Sequence, residues 1–366
     1  MKTDKDKSDF FEDLENNKSE DFNIEDYKYK SRDIEELFSD MDKVAREPFV
    51  MVRYKGIHFP QPLKKGDKVA FISPASAVKE EYVAGAMKCF LDRGYNPVLM
   101  PSALGEEEGS YSASKSKRLI DLLDALEDPE IKAIFCTRGG YGCVQMLPNF
   151  SYSIIAKNPK WIIGFSDVSA LLALWYRSDI ASVHGPMAKH LAIEQKDDPC
   201  SNALFNILEN GGKFNYLMPS TSSLNRIGEA KGILRGGNWA VLDGLANTPY
   251  DILDIKPDEE VILFFEDIAE PIYKLERMLW RLYLSGTLEK VKGLIFGQFT
   301  EYKSDRNFET VEDMLDYRLS RIMIRNIPMV YNFPVGHVQN NYPLTEGATV
   351  ELKVDDELVS LRTINP

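Results

Sequence analysis

Ser166 is the residue whose surroundings most favour a nucleophilic hydroxyl. It lies between two apolar runs, two residues after Gly164 and directly before Asp167. Where a strand turns sharply into a helix, such a serine is lifted above the sheet edge, and the Asp167 amide and the helix N-terminus can stabilise an oxyanion. Val168 stands where the usual elbow motif has a further glycine. A serine here is also a good helix N-cap, so both roles stay open.

A serine hydroxyl needs a base, and the chain has four histidines. His184 and His337 each lie beside a glycine next to an apolar run, which suits a loop that borders a cleft. The local sequence does not separate these two histidines. Glu266 and Asp267 follow a strongly apolar run. If Glu266 faces the cleft, it can hold an imidazole in the tautomer of a general base, although acids at this place are usually solvated strand ends.

A glycine-rich turn, RGGYG at 138–142, follows another apolar run. Gly139 and Gly140 can present unhindered backbone amides because glycine lacks a Cβ. The spacing fits neither GxGxxG nor GxxxxGK[ST], which argues against a phosphate-binding loop. A second oxyanion donor and a purely structural turn are equally compatible with these residues. No HExxH motif or paired ligand spacing occurs, so we expect no metal and no cofactor.

The elements that position these residues follow an α/β pattern from residue 63 onwards. Short apolar strands alternate with amphipathic helices, which predicts a parallel, flavodoxin- or Rossmann-like sheet covered on both faces. The predicted strands are 69–72, 97–100, 133–136 and 161–164, and the predicted helices are 78–93, 112–127 and 168–176. In such sheets ligands bind at the carboxyl ends of the strands. Gly139, Gly140 and Ser166 all follow predicted strands, so we expect them to border one crevice.

Later residues predict a second, smaller, β-rich α/β domain. Its predicted elements are strands at 261–265, 293–296, 330–333, 349–352 and 359–361 and a helix at 272–284. Polar and turn residues before it indicate a connection between the two domains. The predicted division is an acidic N-terminal extension at 1–58, an α/β domain at 59–200, a linker at 201–228 and a C-terminal domain at 229–366.

The N-terminal extension differs in composition from the remainder. Residues 1–47 contain 16 acidic and 9 basic residues and neither glycine nor proline. An amphipathic helix is predicted over 31–46, with Ser31 as its N-cap, at the end of an otherwise solvated tail. A partner-docking arm is the alternative. The net charge of −13 argues against nucleic acid and an anionic membrane surface, and the absence of a long apolar run favours a cytoplasmic location.

Seven segments together resemble the LD-carboxypeptidases, whose two branches are muramoyl-tetrapeptide carboxypeptidase and the self-immunity peptidase that cleaves the antibiotic microcin C. The segments follow the family order with similar gaps. They are GDKVAFISPAS (66–76), TRGGYG (137–142), IIGFSDVSALL (162–172), HGPM (184–187), LRGGNWAVL (234–242), FFEDIAEPIYKLERML (264–279) and GHVQNNYPLTEGATVEL (336–352). Some 60 residues before the first strand lie outside the resemblance.

The resemblance implies a serine peptidase that acts without a cofactor. It assigns the nucleophile to Ser166, the triad glutamate to Glu266 and the triad histidine to His337 rather than His184. It also implies an α/β N-terminal domain, a smaller β-rich C-terminal domain and a homodimer. The implied reaction is acyl transfer, in which D-alanine is released from a cell-wall muropeptide tetrapeptide.

Further site residues follow from the resemblance or from the reaction that it implies. The oxyanion donors fall on the amide of Asp167 and one of Gly139 and Gly140, with Gly140 preferred. A carboxypeptidase needs a cation for the terminal carboxylate, and Arg277 and Arg235 are the candidates. The alternatives are a microcin-C-type amide hydrolase of the same family, an α/β-hydrolase esterase, and a binding protein that has lost catalysis.

Overall fold

The structure, a computed structural model, describes residues 22–32, 56–105, 108–194, 197–322 and 325–365. The predicted helix over 31–46 lies outside these ranges except for its first two residues. The described residues form two β-sheets with helices packed on them. In chain order the strands are β1 Lys68–Ile72, β2 Asn96–Leu99, β3 Ile131–Cys136, β4 Trp161–Gly164, β5 Ser182–His184, β6 Asn215–Pro219, β7 Gly228–Asn238, β8 Val261–Ile268, β9 Val291–Thr300, β10 Met329–Val330, β11 Leu344–Glu346, β12 Thr349–Val354 and β13 Leu358–Asn365. The helices are α1 Glu80–Asp92, α2 Lys115–Glu127, α3 Tyr152–Lys157, α4 Ser169–Arg177, α5 Ala188–Ile193, α6 Pro199–Glu209, α7 Trp239–Gly244, α8 Ile272–Leu284, α9 Thr287–Lys290 and α10 Val311–Ile322.

The first sheet has the strand order β11-β5-β4-β3-β1-β2. Its five strands from the first half of the chain are parallel, and β11 runs antiparallel to β5. Strands β1, β3 and β4 read as nearly continuous apolar runs because both faces of the sheet are buried. Ile134 and Ile162 belong to the core on one face, and Phe135 and Ile163 to the core on the other. This is the predicted covered parallel sheet.

The second sheet has seven strands in the order β10-β9-β8-β7-β12-β13-β6. Strands β7 to β10 are parallel, and β12, β13 and β6 are antiparallel to their neighbours. The fold is therefore mixed α/β with two sheets. Segment 201–228 contains most of α6 and all of β6, so about half of it is regular structure. The predicted division into domains stays a prediction.

Strand β11 connects the second half of the chain to the first sheet. It pairs with β5 at the edge of that sheet, and β12 begins three residues later in the second sheet. Leu344 lies opposite His184 in this pairing. The Tyr216 hydroxyl donates to the carbonyl of Pro343 at 2.7 Å, and the Thr345 hydroxyl donates to the carbonyl of Gly212 at 2.9 Å. These bonds attach β11 to strand β6 of the second sheet and to the turn before it.

The described part of the N-terminal extension packs on the first sheet. Tyr29 donates its backbone N–H to the carbonyl of Leu99 at 2.8 Å, and Arg32 pairs with Asp124 and Glu127 at the end of α2. Ile24 is buried. Residues 22–32 therefore differ from the predicted solvated tail, because apolar and charged partners on the sheet edge are available to them. Among the described residues, no helix has the length and apolar character that crossing a membrane requires.

Candidate active site

The carboxyl ends of parallel strands from both sheets meet in one region. In the first sheet β3 ends before the glycine turn, β4 ends before Ser166, and β5 ends at His184. In the second sheet Asn238 at the end of β7 lies in register with Glu266 near the end of β8. Because strand ends of open parallel sheets leave backbone groups and loops free for ligands, this region is the candidate active site.

Ser166 has the backbone geometry of a nucleophile elbow. Its φ is +63°, which is a left-handed conformation that residues other than glycine seldom adopt. The residue begins a single 3₁₀ turn, Ser166–Val168, that leads into α4. The Ser166 side chain makes no capping hydrogen bond to α4, whose N-cap position is Val168. Ser166 is therefore not the N-cap of α4, which was the alternative predicted for it.

The glycine turn lies directly against the serine. A Cβ at Gly139 would be 2.9 Å from the Cβ of Ser166 and 3.2 Å from the backbone nitrogen of Asp167. Gly140 has a φ of +108°, and a Cβ there would lie 2.1 Å from the hydroxyl oxygen of Ser76. Both positions need glycine because a side chain would collide with a neighbour. The structure thus brings the Gly139–Gly140 turn, Ser166 and the Asp167 amide together.

The Asp167 side chain has a separate structural task. Its Oδ2 accepts the backbone N–H of Cys143 at 2.9 Å, which connects the start of α4 with the end of the glycine turn. Burial raises the pKa of the Asp167 carboxyl, and hydrogen bonds from the backbone partly oppose this effect. The carboxylate therefore holds the turn in place while the Asp167 backbone amide lies beside Gly139.

Glu266 and His337 form a close hydrogen-bonded pair. His337 Nδ1 lies 2.7 Å from Glu266 Oε2. With the proton on Nδ1, this bond leaves Nε2 as the free base of the imidazole. Gly336 makes the approach possible, since its φ is +126° and a Cβ there would be 2.9 Å from the Cβ of Glu266. The His337 ring also lies 4.8 Å, centroid to centroid, from the ring of Phe165, the residue before Ser166.

The pair is electrostatically coupled. Burial alone would raise the pKa of the fully buried Glu266 carboxyl, but the imidazoles of His184 and His337 lower it to about 2. Burial would lower the pKa of His337, yet the hydrogen bond and charge of Glu266 raise that pKa above its ordinary value. Glu266 is therefore anionic at neutral pH and stabilises the protonated form of His337.

His184 lies on the other side of the same carboxylate. Its Nε2 is 3.7 Å from Glu266 Oε1, which is longer than a hydrogen bond. Among the described residues, both ring nitrogens of His184 and Glu266 Oε1 are buried without a hydrogen-bond partner. The ring packs edge-on against Phe264 and Phe165. The sequence alternatives His184 and His337 thus both reach Glu266, and His337 is the one hydrogen-bonded to it.

A polar connection joins α4 to the second sheet beside the site. The Ser169 hydroxyl accepts the backbone N–H of Asn238 at 3.0 Å. Asp267 accepts the side-chain amide of Asn238 at 3.0 Å and the backbone N–H of Ala240 at 2.8 Å. Burial and the charge of Glu266 raise the pKa of Asp267 to about 7. Sequence reasoning noted Asp267 only as an acid after an apolar run and missed Ser169 and Asn238, although Asn238 before the helix-forming WAVLDG has the type of an N-cap.

The two arginines that were predicted to bind the terminal carboxylate of the substrate have other partners in the structure. Arg235 is buried, pairs with Glu259 at 2.8 Å and stacks on the ring of Tyr176. Arg277 lies exposed on α8 above the ring of Tyr273. Among the described residues, neither arginine forms a hydrogen bond or ion pair with the serine or with the Glu266–His337 pair. Across those ranges, no group of three or more histidine, cysteine, aspartate or glutamate side chains could hold a metal ion.

Comparisons with known protein families cover both halves of the chain. Residues 69–185 match the LD-carboxypeptidase N-terminal domain, and residues 231–352 match the LD-carboxypeptidase C-terminal domain. The two matches include Ser166 in the first and Glu266 with His337 in the second. The N-terminal extension lies outside both.

Individual relatives agree with the family matches. A murein tetrapeptide carboxypeptidase from Pseudomonas aeruginosa is 30% identical over 295 residues, covering 78% of this chain and 93% of that protein. The microcin C7 self-immunity protein of Escherichia coli is 25% identical over 339 residues, covering 82% of this chain and 94% of that protein. The crystal structure of muramoyltetrapeptide carboxypeptidase from Oxalobacter formigenes superimposes with a TM-score of 0.71 at 26% identity, covering 81% of this chain and 99% of that one.

Proposed function

Because this chain belongs to the LD-carboxypeptidase family, we propose that it is a serine-type enzyme that releases terminal D-alanine from murein tetrapeptides. The pair of Glu266 and His337 carries this proposal. The 2.7 Å bond between them orients an imidazole whose ring lies next to Phe165, one residue before Ser166. The relative from Pseudomonas aeruginosa, a murein tetrapeptide carboxypeptidase, supports the choice of substrate.

The proposed first step forms an acyl-enzyme. Ser166 Oγ attacks the carbonyl carbon of the L-centred residue, and its proton passes to His337 Nε2. Glu266 stabilises the resulting imidazolium through the Nδ1 hydrogen bond. The negative charge on the former carbonyl oxygen is held by the Asp167 amide and an amide of the Gly139–Gly140 turn. The left-handed backbone of Ser166 and the absence of a Cβ at Gly139 support this arrangement.

The second half of the cycle restores the enzyme. The amine of D-alanine leaves with the proton from His337 Nε2, and Ser166 remains esterified to the shortened peptide. A water molecule then gives a proton to His337 while its oxygen attacks the ester, and Ser166 regains its proton as the acid leaves. Every proton in this scheme passes through one imidazole, so no metal or cofactor takes part in it.

We expect Ser166→Ala to lower kcat for D-alanine release by at least about 10³-fold, because the alanine methyl group cannot attack the carbonyl carbon. His337→Ala should have a similar effect, and the double variant should be no worse than either single variant. The measurement is D-alanine released from purified tetrapeptide, with the melting temperature of each variant as the folding control. Activity within tenfold of wild type in Ser166→Ala would exclude the proposed nucleophile. Cleavage of microcin C without cleavage of tetrapeptide would instead assign the enzyme to the microcin C branch of the family.

A further inference from the structure

The leaving group of the proposed reaction carries an anion that needs a partner. D-alanine contributes the terminal carboxylate, which lies within one residue of the bond that is cleaved. The protein as a whole has a net charge of −13 and repels such a substrate at long range. A local cation near Ser166 would favour binding of this carboxylate, and Arg235 and Arg277 have other partners.

An open pocket of about 320 Å³ adjoins the glycine turn. It is lined by Ser76, Ala77, Val78, Lys79, Ser110 and Arg138. Two of these six residues are cationic and none is acidic. The pocket is therefore a basic site on a strongly acidic protein.

Short contacts connect this pocket to the nucleophile. Ser76 donates its backbone N–H to the carbonyl of Gly139 at 3.1 Å, and its hydroxyl accepts the backbone N–H of Tyr141 at 3.4 Å. Gly139 in turn lies against Ser166, where a Cβ would come within 2.9 Å of the serine Cβ. Ser76 thus belongs to both the pocket wall and the support of the oxyanion turn. The glycine turn is therefore in contact with the pocket wall on one side and with the nucleophile on the other.

Arg138 has the chemistry to bind a carboxylate there. Its side chain is exposed, and one guanidinium nitrogen donates to the carbonyl of Ala77, which holds the group over the pocket. A guanidinium has five N–H donors in a planar fork, so donors remain for a bidentate bond to a carboxylate. Lys79 is mostly exposed and already pairs with Glu81 at 3.2 Å, so it is the weaker of the two cations.

We propose that the pocket beside the Gly139–Gly140 turn binds the terminal carboxylate of the substrate through Arg138, with Lys79 in a supporting role. The inference rests on the proposed peptidase function and explains how the enzyme would select peptides by their C-terminus. An arginine one residue before the oxyanion turn recognises only peptides that end immediately after the scissile bond. An internal bond of a longer peptide brings no carboxylate to Arg138.

The test compares two tetrapeptides that differ only at the C-terminus, one with D-alanine and one with D-alaninamide. Wild-type enzyme should favour the free acid by roughly 10- to 100-fold in kcat/KM, the usual range for one hydrogen-bonded charge. Arg138→Gln should lower kcat/KM for the acid by roughly this factor and change that for the amide by less than about threefold. Arg138→Lys should retain part of the preference, since lysine keeps the charge and loses the fork. Arg321→Gln is the matched control, because Arg321 is also exposed and bonds a backbone carbonyl, on α10.

The outcomes separate this inference from the proposed function. No cleavage of either peptide by wild type would contradict the function itself. Equal cleavage of acid and amide by wild type would overturn the pocket and leave the peptidase intact. An equal loss on both substrates in Arg138→Gln would mean that Arg138 only supports the glycine turn. If Arg277→Gln instead lost the preference for the free acid, Arg277 on α8 would be the residue that binds the terminal carboxylate. The wild-type comparison and Arg138→Lys keep the test decisive even if Arg138→Gln folds poorly.

Discussion

The Glu266–His337 pair makes a pH-dependent prediction at the scale of single residues. A histidine acts as a base only when neutral, so kcat/KM falls as the pH drops through its pKa in the free enzyme. Glu266 raises the pKa of His337 above its ordinary value of 6.5 despite burial. We therefore expect the acidic limb of kcat/KM to have its midpoint above pH 6.5. In Glu266→Gln the charge is gone and burial remains, so the midpoint should move to lower pH while the rate falls.

The pH profile of kcat/KM on tetrapeptide between pH 5 and 9 provides the measurement. Asp267→Asn should move the midpoint down by less than Glu266→Gln does, because the Asp267 charge also raises the pKa of His337 but its carboxylate bonds Asn238 and Ala240 rather than the imidazole. An unchanged midpoint in Glu266→Gln would show that another group sets the acidic limb.

His184 is the other residue that decides how Glu266 is held. A buried polar atom without a hydrogen bond costs about 1–3 kcal/mol, and both His184 Nε2 and Glu266 Oε1 are such atoms 3.7 Å apart. A small side-chain movement would join them and fix the carboxylate with Oε2 towards His337. We expect His184→Phe, which keeps the aromatic packing but has no donor, to lower kcat by roughly 10- to 100-fold with little change in KM.

His184→Gln is the matched variant because its amide can still donate to the carboxylate. Its kcat should be well above that of His184→Phe, and steady-state kinetics on the tetrapeptide will compare the two. Equal losses in both variants would indicate that the ring only fills space between Phe165 and Phe264. A fully active His184→Phe would mean that His337 alone orients Glu266.

At the scale of elements, burial explains which parts of the fold were predictable. Strands β1, β3 and β4 and helix α8 agree with the sequence prediction to within two residues, because each shows an apolar pattern of its own. Strand β7 was not predicted as an 11-residue strand, since GEAKGILRGGN mixes charges and glycines along its length. Its pattern makes sense only beside β8 and β12, where close strand approach favours small residues.

The shortest strands show the limit of local sequence. Strands β5 and β11 have three residues each; β5 pairs with β4 on one side and with β11 on the other, 160 residues away in the chain. No periodicity can be recognised in three residues, so neither strand could be predicted. For the same reason the choice between His184 and His337 could not be made locally. Both follow short apolar runs, and only the tertiary arrangement shows which imidazole bonds Glu266.

At the scale of the whole molecule, β11 couples the two sheets that supply the site. Glu266 and His337 belong to the second half of the chain, while Ser166 and the glycine turn belong to the first. The pairing of β11 with β5 places Leu344 opposite His184, whose Nε2 lies 3.7 Å from Glu266 Oε1. If this strand holds the two halves together, weakening it should destabilise both sheets at once rather than release one of them.

Leu344→Ala tests this coupling, because Leu344 is completely buried. Truncating a buried leucine leaves a cavity and lowers the free energy of unfolding by about 2–5 kcal/mol. We expect hydrogen exchange to show an equal loss of protection in β3 and β8, which lie in different sheets. Leu284→Ala, at a leucine that is 78% exposed on α8, should change stability by less than about 0.5 kcal/mol. Loss of protection confined to β3 would mean that the second sheet is stable alone, and that loops rather than β11 bring His337 to Ser166.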